Sequence, residues 1–318
     1  MKTLFRLLAV MLALSAHAQA KPPLFEFHSD PWMNLHHLLY HAARNERLGD
    51  ERLRGRVRLD PADAAPPLND GEREAWNAAL DTYAGYGRRD LLFDPVMSRL
   101  RQIIAGGEAA IAAGAKTDPL LRALVTAMPA YRRHLWPRHR AANLAFIARL
   151  QSALEAHGAV LADWLARAYE SEWGTRPVRT DIVKYANWAG AYTGNSPNHI
   201  VMASDDARHD GLAALEILMH EAGHTQPLGR NIHAASTAAA RRAGVEEDRL
   251  WHSYIFYASG KAIRQVAETH LPYAEANGLW SRGSMATHRR LLQMHFGAGS
   301  LEEQFERMHA AREEQSDE

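Results

Sequence analysis

The run ALEILMHEAGHTQ, residues 214–226, places His220, Glu221 and His224 in the order His-Glu-Ala-Gly-His. On a helix, side chains four residues apart lie one above the other on one face, so the two imidazoles can reach a single metal ion. Glu221 follows the first imidazole by one residue, about 100° further round the helix. That offset suits a carboxylate that handles a water molecule beside the ion rather than binding the ion. Two ligands and a general base on one rigid element are the parts needed for metal-assisted hydrolysis. Zinc in such a site takes three protein ligands and keeps one position open.

Composition narrows the chemistry. The chain has no cysteine, so disulfides, thiolate ligands and a cysteine nucleophile are excluded. A transition metal must then be held by His, Asp or Glu. With 18 histidines among 318 residues, random placement would give only ~0.06 such motifs. Apart from Glu216, the turns before the motif are apolar: Leu212, Leu215, Ile217, Leu218 and Met219. Bare imidazoles and a carboxylate in such a helix are costly unless they have partners. The bland alternative is a hydrogen-bonded pair of core histidines.

The elements around the motif follow from periodicity and punctuation. Before residue 175 the chain reads as helices. One opens at Asp30-Pro31, an N-cap followed by a proline in the first turn. Others cover EREAWNAALDTYAGYG and DPVMSRLRQIIAGGEAAIAAGA, the latter with a weak point at Gly106-Gly107. A helix from Pro137 is expected to stop at Gly158, with another following over AVLADWLARAYESEWG. Residues 178–204 are short, β-branched and aromatic, and predict two or three strands. The motif helix, a polar connection and a second apolar helix, EEDRLWHSYIFYASGKAIRQVAETH, come next. The fold class expected is α+β, predominantly helical, with a small sheet preceding the motif helix. The working division is a helical portion over residues 21–175 and a metal-binding portion over residues 176–318.

Residues 1–20 read as a signal peptide, with basic Lys2 and Arg6, an apolar run from Leu7 to Leu14, and an Ala18-Gln19-Ala20 cleavage pattern. The apolar run is short for a membrane span, so no stable membrane anchor is expected, and the mature chain is expected in the periplasm or medium. Lys+Arg and Asp+Glu both number 37. That balance gives no overall charge to favour nucleic acid, and no nucleic-acid partner is expected.

The succession of strands, a helix carrying HEAGH and a second helix with a further ligand resembles the zincin metallopeptidases, over roughly residues 178–270. The resemblance implies one zinc ion, His220 and His224 as ligands, Glu221 as general base, and a peptide or other amide as substrate. In that group the edge strand before the motif helix pairs with extended substrate, and ANWAGAYTG occupies the corresponding place. The longer metzincin motif is not met, because position 227 is Pro and position 230 is Arg. In gluzincins a Glu on the following helix is the third ligand, and here that region offers Glu246, Glu247, Asp248 and His252. Acidic residues near a helix start are favoured by the helix dipole alone. His252 instead sits in LWHSYIFY, where a buried imidazole needs a partner. His252 is therefore the expected third ligand and Glu247 the alternative, with Asp248 placed to orient His252.

Trp188 and Tyr192 flank the expected edge strand and are candidates for substrate binding, Tyr192 also as a donor to a developing oxyanion. Tyr254, Tyr257 and Tyr273 are further candidates without a ranking. His36, His37 and His41 cluster on the first helix, either in packing or as a second metal site. The reading as a whole is an exported zinc hydrolase, with a structural or ligand-binding metal site lacking peptidase activity as its alternative.

Overall fold

A computed structural model describes residues 23–48 and 57–316. The leader expected over residues 1–20 lies outside the described residues. Strand β1 (Phe25–His28) leads into helix α1 (Pro31–Glu46), where the Asp30 side chain accepts from the Met33 N–H at 2.8 Å. The helices α2 (Pro61–Ala64), α3 (Asp70–Ala84), α4 (Pro95–Ala105), α5 (Glu108–Gly114), α6 (Pro119–His134) and α7 (Trp136–Ala168) follow. Three strands come next, β2 (Val178–Val183), β3 (Ala191–Asn195) and β4 (Asn198–Ala203). The chain closes with α8 (Leu212–Ala222), α9 (Arg230–Ala243), α10 (Leu250–Ile263), α11 (Tyr273–Ala276), a short 3₁₀ turn (Leu279–Ser281), α12 (Met285–His295) and α13 (Leu301–Ser316). The protein is α+β and mostly helical.

Local chemistry explains most boundaries. Asn69 and Glu72 form a reciprocal capping box at the start of α3. Gly107, at φ +86°, separates α4 from α5. Gly158 does not end its helix: α7 runs through it for 33 residues. The glycine is buried in a helix whose Phe146, Ile147, Leu150, Leu161 and Leu165 all enter one core, and that packing outweighs a local penalty of about 1 kcal/mol.

The sheet is four-stranded in the order β1-β2-β4-β3. β1 and β4 each pair parallel with β2, and β3 pairs antiparallel with β4. Strand β1 lies in the portion expected to be helical, just ahead of its first expected helix, where no strand was anticipated. It joins the sheet through the register Phe25 to Val178, across the whole run α1–α7. Alternation along the strands sends side chains to two separate cores. Ile182, Ile200, Met202 and Ala191 face a core built with α7, α8, α10, α12 and α13. Val183, Val201, Ala203 and Tyr192 face a core built with α1, α3, α4 and α6. The sheet is thus the shared wall between the two helical layers. Among the described residues no helix is long and apolar enough to cross a membrane.

Candidate metal centre

Helix α8 is buried from Ala214 through Ala222. Its α-helical part ends at Ala222; Gly223 and His224 continue the turn, with the His224 N–H bonded to the Glu221 carbonyl at 3.1 Å. The tightened turn keeps the second imidazole over the first, with their Nε2 atoms 3.1 Å apart. Helix α10 packs against α8 and carries His252 to the same place. The ring centroids of His252 lie 5.2 Å from His220 and 5.0 Å from His224. One ligand nitrogen from each of the three histidines falls within 4.8 Å of the other two. A tetrahedral ion with bonds near 2.0–2.1 Å sets its nitrogens roughly 3.3 Å apart, so the triangle is of the size for one ion.

Protonation suits the same use. Burial pushes His220 well below its usual range, and the neighbouring His224 and His252 add to this. Burial lowers His224 to about 3, helped by His252, and lowers His252 to about 4, helped by Arg249. All three rings are neutral at pH 7 and offer lone pairs, as metal ligands must. Apolar walls hold them: Phe256, one turn after His252, stacks on His220 at 3.7 Å, and Trp251 meets His224 edge-on at 5.5 Å. The close approach of the two helices depends on Gly223, where a β-carbon would meet Ile255 Cγ2 at 2.7 Å. Three neutral imidazoles with no thiolate or extra carboxylate are a donor set that fits zinc.

Glu221 points the other way round α8, toward the edge strand β3, and is 6% exposed. Thr193 Oγ1 lies 2.6 Å from its Oε2 and 2.9 Å from its main-chain oxygen. Burial raises the Glu221 carboxyl to about 7, against the lowering effect of the Thr193 hydrogen bond. A carboxylate that exchanges a proton near neutral pH is what general acid–base work requires. Its partner Thr193 was not picked out from sequence. Strand alternation shows that Tyr192 and Thr193 face opposite ways, but not which of them meets the helix.

The structure separates the remaining candidates. Tyr192 is buried on the far face of the sheet, where its hydroxyl donates to His37 Nε2 at 2.9 Å and Arg101 lies over its ring. It therefore does not face Glu221, where an oxyanion donor was expected. Trp188 is 53% exposed on the loop before β3. There it borders a cavity of about 220 Å³ shared with Arg58, Lys184, Asp205 and Arg208, rather than the histidine triangle. Tyr254 donates to the Ala168 carbonyl at 3.0 Å, and the Tyr257 ring packs against Trp280 and Phe296. Tyr273 differs: among the described residues its buried hydroxyl has no hydrogen-bond partner. Burial pushes it up to about 12, and the charges of Arg208, Asp206 and Glu221 all act on it. The backbone N–H of Tyr273 is fixed by Glu216 on α8 at 2.9 Å, and His270 binds the same carboxylate at 2.6 Å. Glu216, the one charge in the apolar turns before the motif, is thereby accounted for.

Two acidic candidates are occupied elsewhere. Glu247 accepts from the Arg249 N–H at 3.0 Å and from Ser236 at 3.2 Å, ahead of α10. Helix α10 starts at Leu250, later than expected, because Arg249 adopts φ +69°. Asp248 turns to His288 at 2.7 Å and Arg312 at 3.1 Å, not to the His252 ring. His36, His37 and His41 are buried and bonded to Tyr83, to Met33 and Tyr192, and to Ala186 respectively. No family model, curated protein or solved structure matches this chain.

Proposed function

We propose that the protein is an exported zinc-dependent hydrolase that cleaves peptide or related amide bonds. The observation that carries this reading is the convergence of His220, His224 and His252 beside a buried Glu221 on the same helix. Zinc bound by the three imidazoles would supply Lewis acidity, making a water molecule easier to deprotonate and a carbonyl easier to attack. Glu221 takes the proton from the attacking water and returns it to the departing amine. Thr193 keeps the carboxylate turned toward β3. The Tyr273 hydroxyl, without a hydrogen-bond partner among the described residues and sensing the Glu221 charge, is the donor we assign to a developing oxyanion. Strand β3 supports an amide substrate in a second way: it is the outer strand of the sheet, where an extended chain can add by backbone pairing.

The test uses protein beginning at Lys21, a mixed peptide library, and the Glu221→Gln variant in parallel. Wild type should hold about one zinc ion and cleave the library in a chelator-sensitive way. The variant should keep its zinc and lose turnover by roughly a hundredfold or more. Zinc-loaded wild type that cleaves no better than the variant would overturn the peptidase reading.

A further inference from the structure

Helix α10 begins without a capping side chain: Arg249, in the left-handed region, precedes it and donates no cap. An uncapped first turn frays easily, yet this turn carries His252. A single imidazole from another helix closes over it. His288, on α12, contacts the Ser253 hydroxyl through Nδ1 at 2.8 Å and the Asp248 carboxylate through Nε2 at 2.7 Å. Residues 248 and 253 are thus held by the two nitrogens of one ring, with His252 between them. Arg312, on α13, holds the same Asp248 oxygen at 3.1 Å.

Serine, histidine and aspartate in sequence also make up a nucleophilic relay. Here Ser253 is 2% exposed and His288 1% exposed, enclosed between α10 and α12. An acyl group has no path to that hydroxyl, so the relay is a fixture and not a second reaction centre. The neutral ring can accept from Ser253 at Nδ1 while donating from Nε2 to Asp248, so both ring nitrogens and the Ser253 hydroxyl are matched.

We infer that His288 is a positioning residue of the metal centre. It staples the entry into α10, sets the third imidazole before an ion arrives, and makes the C-terminal helices part of the site's preorganisation. The inference rests on the metal reading above. Partners that orient a metal site typically change affinity by about 10- to 100-fold when removed.

The experiment measures zinc affinity by competition with a chromophoric chelator, and the visible spectrum of the cobalt(II)-loaded protein. It compares wild type with His288→Ala, Ser253→Ala and His288→Asn. The Asn amide reaches the place of Nδ1, keeping the Ser253 link while losing Asp248. Zinc affinity should fall about tenfold or more in His288→Ala and Ser253→Ala. The cobalt bands should change, and His288→Asn should recover part of the loss. A purely structural role would leave the cobalt spectrum of the folded variants unchanged. Affinities and spectra equal to wild type would overturn the staple and leave the metal site standing. Wild type that binds neither ion would overturn the metal reading and the staple together. If His288→Ala does not fold, Ser253→Ala, which removes one oxygen atom, decides alone.

Discussion

The hydroxyl of Thr193 lies 2.6 Å from the carboxylate of Glu221, so the edge strand of the sheet and the motif helix are joined at the carboxylate proposed as general base. The hydroxyl donates to the ionised form and holds the carboxyl below where burial alone would put it. Thr193→Val removes that donor at nearly constant volume. Because the base must be ionised, the acid limb of the pH–rate profile should move to higher pH. Activity should fall more at pH 6 than at pH 8.5. An unmoved limb would show that Thr193 does not tune Glu221.

The assignment of the third ligand has a direct readout. His252→Ala should drop the zinc content after dialysis from about one ion to a small fraction. Glu247→Ala should leave it unchanged. Glu247 accepts from the Arg249 N–H, so its loss should cost about 1 kcal/mol of stability, the net scale of one hydrogen bond. Zinc loss in the Glu247 variant alone would reverse the assignment.

Acid should weaken the first helical layer in a defined window. Burial lowers His37 to about 4 and His41 to about 3. In the unfolded chain both take up a proton near pH 6.5. The unfolded state therefore binds more protons below pH 6.5, and stability falls with pH until the folded-state values are passed. His37 alone should account for on the order of 3 kcal/mol of that loss. His37→Gln should flatten the dependence of unfolding free energy on pH between 6.5 and 4, whatever it does to the absolute level. An equal slope in the variant would show that His37 does not drive it.

Gly158 offers a gain instead of a loss. It has ordinary helical backbone, and the nearest atom to an added β-carbon is a Leu154 methyl at 3.4 Å. Gly158→Ala should stabilise the protein by about 0.5–1 kcal/mol, mostly by restricting the unfolded chain. Chemical denaturation would measure it. A destabilised variant would mean that α7 is kinked or crowded there.

How far the chain could be read before its structure depended on the range of the forces involved. Asp30 and Gly107 act within a few residues, and their cap and break were legible; the Asn69 capping box is equally local but was not picked out. His252 was legible because its surroundings, LWHSYIFY, are apolar and adjacent in sequence. Strand β1 was not: four residues pair with partners beyond seven helices, and nothing local marks them. Gly158 misled because propensity is local while the burial that overrides it comes from distant helices. Tyr192 and Thr193 alternate by rule, but the face that meets α8 is settled only by tertiary packing. Asp248 was expected to orient His252, yet its partner is His288, which arrives from α12 beyond the range of any local pattern.

Gly223 lies between the histidines of the motif and has no side chain to offer an ion. Its missing methyl group lets Ile255 approach so that a β-carbon there would meet it at 2.7 Å. Helix α8 with its following turn, and helix α10, act as the two arms of a caliper whose hinge clearance is that absent carbon, with His220 and His224 on one jaw and His252 on the other. On the proposed metal reading, the gauge of the jaws, and with it the radius of ion they would close on, is set from behind by a residue outside the histidine triangle. A side chain at 223 would then open the caliper without altering any of the three histidines, so selectivity among metals should change there while the proposed ligands stay the same.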